Sequence, residues 1–556
     1  MSTTKYYSEE KLWRGPPHPA SLFNDRANLG RIILSIIDRD PHKVAQISDN
    51  NGIQMTNQEI ALKAKNIAGG LRRRGCKVGD VVGFVAGNGH NLVPTLIACF
   101  LLEAPVNAMD IKQNEDEIYA IFIITKPKFI FCDDKRLEDV KNVVKRMETS
   151  PTIIVFGANN SDYINIENLM KEGDSEDLKS LLFFREIYEE SCKENQMKYQ
   201  IIVCSSGTTG PPKAVAIPYQ SLLDPHWSSM ISSSSTDCYF SFCSPFWSVY
   251  YIVLFSNLIL GITRIITTEP VNHELFLQIV KKYKVTHVLI SPVYISNILD
   301  SPDLTSSSLL TLKYIWSGGS VLTEEVAKNC MKYISAGSLI VTYGMSETGT
   351  IARNPYYPDF GPHNQGMVSV GNVLPGIEGI VLDEEGKRLG PEETGQVCFR
   401  VPYPIVEYLE NPEATAQFID SDGFAHTGDL GFFDKDGFLY ITGRSKDIIK
   451  YIMYHVSGSE IERVVKTHPN VSEVVAVGIP DRTYHQLPAV LVVLEKGSTA
   501  TSEEISNLVS EKLPDTHKLR GGVYFVEELP KTYSGKIKKN EAKTIAEELS
   551  KQNGKL

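Results

Sequence analysis

The sequence predicts an α/β fold in two parts: a large N-terminal domain of layered α/β sheets carrying a β-rich subdomain, and a small α+β C-terminal domain. Three observations predict it. The chain has 556 residues, too many for one compact core. Over most of its length, short β-branched runs alternate with helix-period segments, the pattern of parallel α/β layers. After about residue 376 the texture turns to strands joined by acidic, glycine-bearing turns, and it turns again near Gly443.

In chain order, "NQEIALKAKNIAGGLRRRG" (57–75) and "HELFLQIVKKYK" (273–284) have helical periodicity. The runs "VVGFVAG" (81–87), "KFIFC" (128–132), "TIIVFG" (152–157), "YQIIVCSS" (199–206), "THVLIS" (286–291) and "SLIVTYG" (338–344) predict strands. "VYYIVLFSNLILGI" (249–262) predicts a buried helix, because spanning a bilayer takes about 20 apolar residues. The turns "DEEGKRLG", "DSDGF" and "DKDGF" are hairpin signals and predict an antiparallel subdomain. From "SGSEIERVVKTHP" onward, helix and strand alternate in a small α+β pattern, and "KKNEAKTIAEELSKQNGKL" predicts a solvated helix and tail. These changes divide the chain into 1–442, a connecting segment 443–450, and 451–556.

Composition narrows the function. With 42% hydrophobic and 22% charged residues the chain is that of a folded soluble protein, and a net charge of -11 argues against nucleic acid as the main partner. The nine cysteines are scattered, without CxxC spacing, which points to a reducing compartment and no metal cluster. No signal peptide opens the sequence. The last residues, Gly554, Lys555 and Leu556, resemble the peroxisomal address Ser-Lys-Leu, so an import receptor is a candidate partner and the peroxisome, or else the cytoplasm, the expected location.

"CSSGTTGPPK" (204–213) follows a predicted strand, which puts it at the carboxyl end of a sheet, where α/β folds bind ligands. Its hydroxyls on Ser205, Ser206, Thr208 and Thr209, the flexible Gly207 and Gly210, and the charge of Lys213 suit phosphate oxygens. It is not a Walker loop, since prolines rather than glycine precede the lysine, and "GNGHNL" (87–92) lacks the third glycine of a dinucleotide fingerprint.

Five segments agree in order and spacing: this loop, "YGMSET" (343–348), "HTGDLG" (426–431), "GRSKDIIK" (443–450) and "PKTYSGKIKK" (530–539). Together they resemble the adenylate-forming superfamily of acyl-CoA synthetases, 4-coumarate-CoA ligases and beetle luciferases, over nearly the whole chain. The likeness is nearest to insect luciferase-like acyl-CoA ligases. The resemblance implies an N-terminal AMP-binding domain (1–442), a hinge (443–450) and a mobile C-terminal domain (451–556) that rotates between two half-reactions. In the first, a carboxylate attacks the α-phosphate of ATP to give an acyl-adenylate; in the second, CoA displaces AMP.

The chemistry explains the residues. A carboxylic acid with a pKa of about 4 is already ionised at neutral pH and needs no base. It must approach another anion, and at ~4 Å that repulsion is on the order of 4 kcal/mol for an effective dielectric of ~20. Cations are therefore the requirement. By the resemblance, Lys536 bridges carboxylate and α-phosphate, Glu347 binds magnesium, Ser346 contacts phosphate, Asp429 and Arg444 hold the ribose, and Tyr343 stacks on adenine. Gly318, Gly319 and Ser320 form the loop that admits adenine, and Lys446 and Lys450 contact the adenylate. Read alone, each has a plainer role: Lys536 is one lysine of a basic tail, Asp429 a turn cap and Arg444 a surface charge.

Departures from the family pattern fall mainly outside these contacts. Lys213 is followed by Ala214, where many relatives have glycine. Ser248 stands where relatives have a pocket histidine, Val341 and Thr342 where they have Gln-Gly, and Ile452 and Met453 replace the Lys-Gly of the CoA channel. The expected function is ATP-dependent ligation of a hydrophobic acid, fatty or aryl, to CoA. The alternative is a luciferase-type monooxygenase.

Overall fold

The structure, a computed structural model, describes the chain apart from residues 1–2, 20–27, 158–162, 174–198, 205–212, 223–233, 235, 271, 335–336, 355–359, 365, 452–453, 482–483, 533–534 and 553–556. The side chains of Lys446, Lys450, Tyr454, His455 and His485 are likewise outside the description.

Two parallel sheets form the N-terminal body. In the first, the strands Ile201–Cys204, Val106–Met109, Val82–Val85, Phe129–Cys132, Thr152–Val155 and Ile164–Asn165 lie side by side in parallel. Ala214–Ile217 and Glu407–Tyr408 extend it as an antiparallel edge. In the second, Ser338–Met345, Tyr314–Gly318, His287–Leu289, Cys238–Phe240, Thr263–Ile266 and Val44–Ser48 run parallel. Strands such as "FIFC" and "IIVC" are buried at every residue, as a sheet covered on both faces requires.

Helices Leu29–Ile37, Asn57–Arg73, Leu92–Leu101 and Ser248–Leu260 share one core with the first sheet, and Ala45 and Met55 of the second sheet join it. The apolar run at 249–262 is therefore a packed helix, with Phe255 6.0 Å from Phe100 between ring centroids. No helix among the described residues is long and apolar enough to cross a membrane.

The third sheet is antiparallel: Lys5–Tyr7, Leu12–Arg14, Glu378–Leu382, Gly395–Arg400, Ala425–Phe433 and Leu439–Arg444. Its first two strands come from the extreme N-terminus, where the sequence offers no hairpin signal. They are held by burial: Trp13 is fully covered and stacks on Phe433 at 4.5 Å.

The C-terminal domain is a five-stranded sheet with helices Gly458–Lys466, Ser502–Lys512 and Lys539–Gln552. The last helix corrects the expectation of a solvated tail. Ala542 and Ala546 are fully buried against Val475, Val477 and Leu491. Two alanines four residues apart, flanked by Ile545 and Leu549, make an apolar stripe too narrow to stand out among the lysines and glutamates.

Most of the segment 443–450, expected as the hinge, belongs to strands. Leu439–Arg444 closes the third sheet and Ile448–Tyr451 opens the C-terminal one, leaving the short 3₁₀ turn Ser445–Asp447 outside both. Ser445 Oγ donates to Gly428 O at 3.0 Å on one side of the turn. On the other, Lys539 Nζ lies 3.2 Å from Asp447 Oδ2 and 3.0 Å from Glu462 Oε1. Ala476 N also donates to Glu462 at 3.0 Å. Burial raises the Glu462 carboxyl above the usual range, and Lys539 is the first group pulling it back.

Removing that ammonium leaves two acids facing each other at low exposure, so Lys539→Met should destabilise the C-terminal domain by about 3 kcal/mol. Lys539→Arg should lose far less. Urea unfolding of the full chain measures this; equal midpoints for Lys539→Met and the parent would remove the clamp.

Candidate active site

The predicted site residues whose side chains are described, Val341 apart, line one cleft of about 3700 Å³ to which both domains contribute. That is several times the size of a pocket for one small ligand, and leaves room for a nucleotide and an acid together. The strands Tyr314–Gly318 and Ser338–Met345 deliver their carboxyl ends to it. Ser205, Ser206, Gly207, Thr208, Thr209 and Gly210 lie outside the described residues. Lys213, at the far end of their loop, lines the cleft.

Gly318 and Gly319 follow from local geometry. Gly318 is paired with Thr342, and a Cβ on it would come within 2.7 Å of Thr342 Oγ1 and 2.8 Å of its carbonyl. Gly319 has φ +91°, the left-handed region that glycine occupies without strain. A Cβ there would point at Lys536, 4.0 Å from its Cε. Ser320 follows, exposed on the cleft wall.

Asp429 lies within the strand Ala425–Phe433 rather than at a turn, opposite Arg444 on the neighbouring strand. Arg444 Nε lies 3.1 Å from Asp429 Oδ1, and Tyr343 Oη donates to Oδ2 at 2.7 Å. The tyrosine therefore fixes the carboxylate, while its ring packs 6.1 Å from Phe399. Thr427, which the motif reading passed over, receives the Asp429 N–H at 3.1 Å and donates to Val397 O at 2.6 Å. Burial raises the Asp429 carboxyl above its ordinary value; Arg444, Tyr343 and Lys536 oppose the rise.

Glu347 is 7% exposed and accepts from Tyr408 Oη at 2.9 Å. Burial lifts its carboxyl too, against Tyr408, Arg444 and Lys213. Ser346 Oγ is 3.4 Å from Ser248 Oγ. Thr342 lines the cleft, whereas Val341 is a correction to the expected pocket. It is 1% exposed and packed in the core beneath the strand, because alternate residues of a strand face opposite sides.

Lys536 comes from the C-terminal domain on a tight turn. Gly535 N donates to Thr532 O at 2.9 Å, and Thr532 N to Lys536 O at 2.7 Å. Burial lowers the Lys536 ammonium from 10.5, Arg444 lowers it further, and Asp429 and Glu347 resist. Lysine, arginine and two carboxylates thus gather on one cleft, an arrangement suited to a ligand that carries both phosphate charge and a cation.

Magnesium fits this donor set. Mg²⁺ is commonly held by one or two carboxylates plus substrate phosphates. Glu347 is a carboxylate on the cleft wall, and no group of three or more metal-ligating acids, histidines or cysteines exists among the described residues to form a closed cage. Lys446 sits in the hinge turn and Lys450 in the following strand, with side chains outside the description. Ile452, Met453, Gly554, Lys555 and Leu556 also lie outside it. Tyr408 is illegible in the sequence because its partner is set by sheet register, 61 residues away at Glu347, whereas Thr427 stands within "HTGDLG", two residues before the aspartate it supports.

Known proteins are similar to this chain in sequence and in fold. The family model "AMP-binding enzyme" matches residues 36–409 and "AMP-binding enzyme C-terminal domain" matches 460–536. The luciferin 4-monooxygenase of Photinus pyralis is 31% identical over 473 residues, covering 83% of each chain. A probable 4-coumarate–CoA ligase of Dictyostelium discoideum is 26% identical over 527 residues, covering 91% of this chain and 93% of that one. In fold, ATP-bound MatB from Rhodopseudomonas palustris superposes with a TM-score of 0.80 at 21% identity, covering 94% and 99% of the two chains. With Lys536 of one domain facing Asp429 and Glu347 of the other, and both family models matched in order, the chain belongs to the AMP-binding enzymes of the adenylate-forming superfamily.

Proposed function

We propose that the protein activates a hydrophobic carboxylic acid, fatty or aryl, with ATP and Mg²⁺, and transfers the acyl group to CoA. The observation that carries this reading is Lys536, held over Gly319 within electrostatic reach of Asp429 and Glu347. An ammonium there can meet the carboxylate and the α-phosphate at once. The carboxylate oxygen forms a bond to the α-phosphorus and pyrophosphate leaves with its bridging oxygen. The CoA sulfur then bonds to the acyl carbon, AMP departs with the carboxyl oxygen, and the thiol proton is lost to solvent.

This chain's residues supply position and charge. Asp429 accepts from the ribose hydroxyls, Arg444 holds Asp429 and reaches the same sugar, and Lys213 and Ser346 face the phosphates. Glu347 would hold Mg²⁺, whose charge offsets that of the phosphates when bound. An apolar acid suits the cleft walls, to which Phe242, Trp247, Ile252, Tyr294 and Met345 contribute. The likeness to ligases of coumarate type supports a thioester product. The luciferin 4-monooxygenase at 31% identity supports a second reading, in which oxygen takes the place of CoA after adenylation.

A panel of fatty, cinnamic and luciferin-like acids with ATP, Mg²⁺ and CoA, scored for pyrophosphate, thioester and light together, tests both. Thioester is the expected product; light above an albumin control without thioester would decide for the oxygenase. Lys536→Ala should lower ATP–pyrophosphate exchange at least 100-fold with an unchanged circular dichroism spectrum. Unchanged exchange would remove Lys536 from the chemistry.

The lowered Lys536 pKa adds a sign. Exchange depends on the ammonium, so the rate should fall with rising pH below the ordinary lysine value of 10.5. A profile flat to that value would contradict the assignment. At the channel, Met453→Gly should raise thioester formation without altering exchange, since glycine admits pantetheine to the backbone; equal thioester rates would argue against a blocking methionine. We also infer that the Gly554-Lys555-Leu556 tail serves peroxisomal import, and a fluorescent fusion that stays cytoplasmic would contradict it.

A further inference from the structure

Tyr408 belongs to none of the five motifs, yet it touches two of their charged groups. It stands on the strand Glu407–Tyr408, opposite Val215 on the strand Ala214–Ile217 that begins beside Lys213. Its side chain is 5% exposed. One end, Oη, donates to Glu347 Oε1 at 2.9 Å, and the ring face lies under Lys213, whose Nζ is 4.6 Å from the centroid. The same segment grips the glutamate from behind, since Ile405 N donates to Glu347 O at 2.9 Å.

Each contact has a consequence. A phenol donating to one carboxylate oxygen favours the ionised form and fixes the plane of the group, leaving the other oxygen for a cation. The π-face attracts an ammonium within about 6 Å without neutralising it. A single rigid side chain therefore sets the placement of a phosphate-binding cation relative to a metal-binding anion. A tyrosine that merely packed would also satisfy its edge contact with Phe418, at 5.9 Å, but would be indifferent to losing its hydroxyl.

We propose that Tyr408 is a positioning residue for adenylation, presenting Glu347 to the Mg²⁺ that accompanies ATP and seating Lys213 beside it. This rests on the adenylation reading above, and a binding measurement separates the two. Full-length wild type, Tyr408→Phe, Glu347→Gln and the double variant are titrated with Mn²⁺ and the unreactive analogue α,β-methylene-ATP. Bound Mn²⁺ is read by electron paramagnetic resonance, and binding of the metal-free nucleotide in EDTA by calorimetry.

Tyr408→Phe should weaken the Mn²⁺–nucleotide complex about tenfold. It should leave metal-free binding within about twofold and have no further effect in the Glu347→Gln background. Equal Mn²⁺ affinity in wild type and Tyr408→Phe would overturn the proposal. So would an equal loss with and without metal, which is the signature of a packing role, or a loss that adds to that of Glu347→Gln. If these expectations hold while no acid supports pyrophosphate exchange, the adenylation reading fails and the placement of Glu347 by Tyr408 stands.

Discussion

The structure turns on the Asp429 carboxylate, which is buried and has to be compensated. Three separate parts of the chain do so: Tyr343 from the second parallel sheet, Arg444 from the antiparallel sheet, and Lys536 from the C-terminal domain. A buried carboxylate left alone would take up a proton. Its ionised form is retained to the extent that these parts meet, so the electrostatics of one side chain are tied to the assembly of the whole cleft.

The neighbouring groups obey the same constraint. Glu347 is buried and lifted, Lys536 is half-buried and lowered, and each moves in the direction that desolvation dictates rather than the direction a simple ion pair would give. Under the proposed function, a polyanion carrying a divalent cation would compensate acids and bases together. The segment between the two domains is anchored accordingly. The turn Ser445–Asp447 is tied by Ser445 to the strand of Asp429 and by Asp447 to Lys539, three residues beyond Lys536, so the lysine's position is referred back to the carboxylate it serves.

The parallel layers were legible because strands buried on both faces must be apolar throughout, and "FIFC" and "IIVC" declare that locally. The N-terminal hairpin at Lys5–Tyr7 and Leu12–Arg14 was not, since its place depends on Trp13 finding Phe433 some 400 residues later. Val341 and Thr342 illustrate a smaller failure. Adjacent in sequence, they read as one wall, but a strand sends neighbours to opposite faces, and which face meets the cleft is fixed by the sheet.

By itself, the sequence determined the layered α/β class, the break near Gly443 and the identity of the charged groups, because periodicity, turn chemistry and motif spacing are local properties. Tertiary structure alone decided that Asp429 sits within a strand beneath Tyr343, that Ala542 and Ala546 are core, and that Tyr408 joins Lys213 to Glu347. The reason is physical: burial and hydrogen-bond partnership across 61 or 86 residues arise from sheet register and domain docking, which no local pattern encodes.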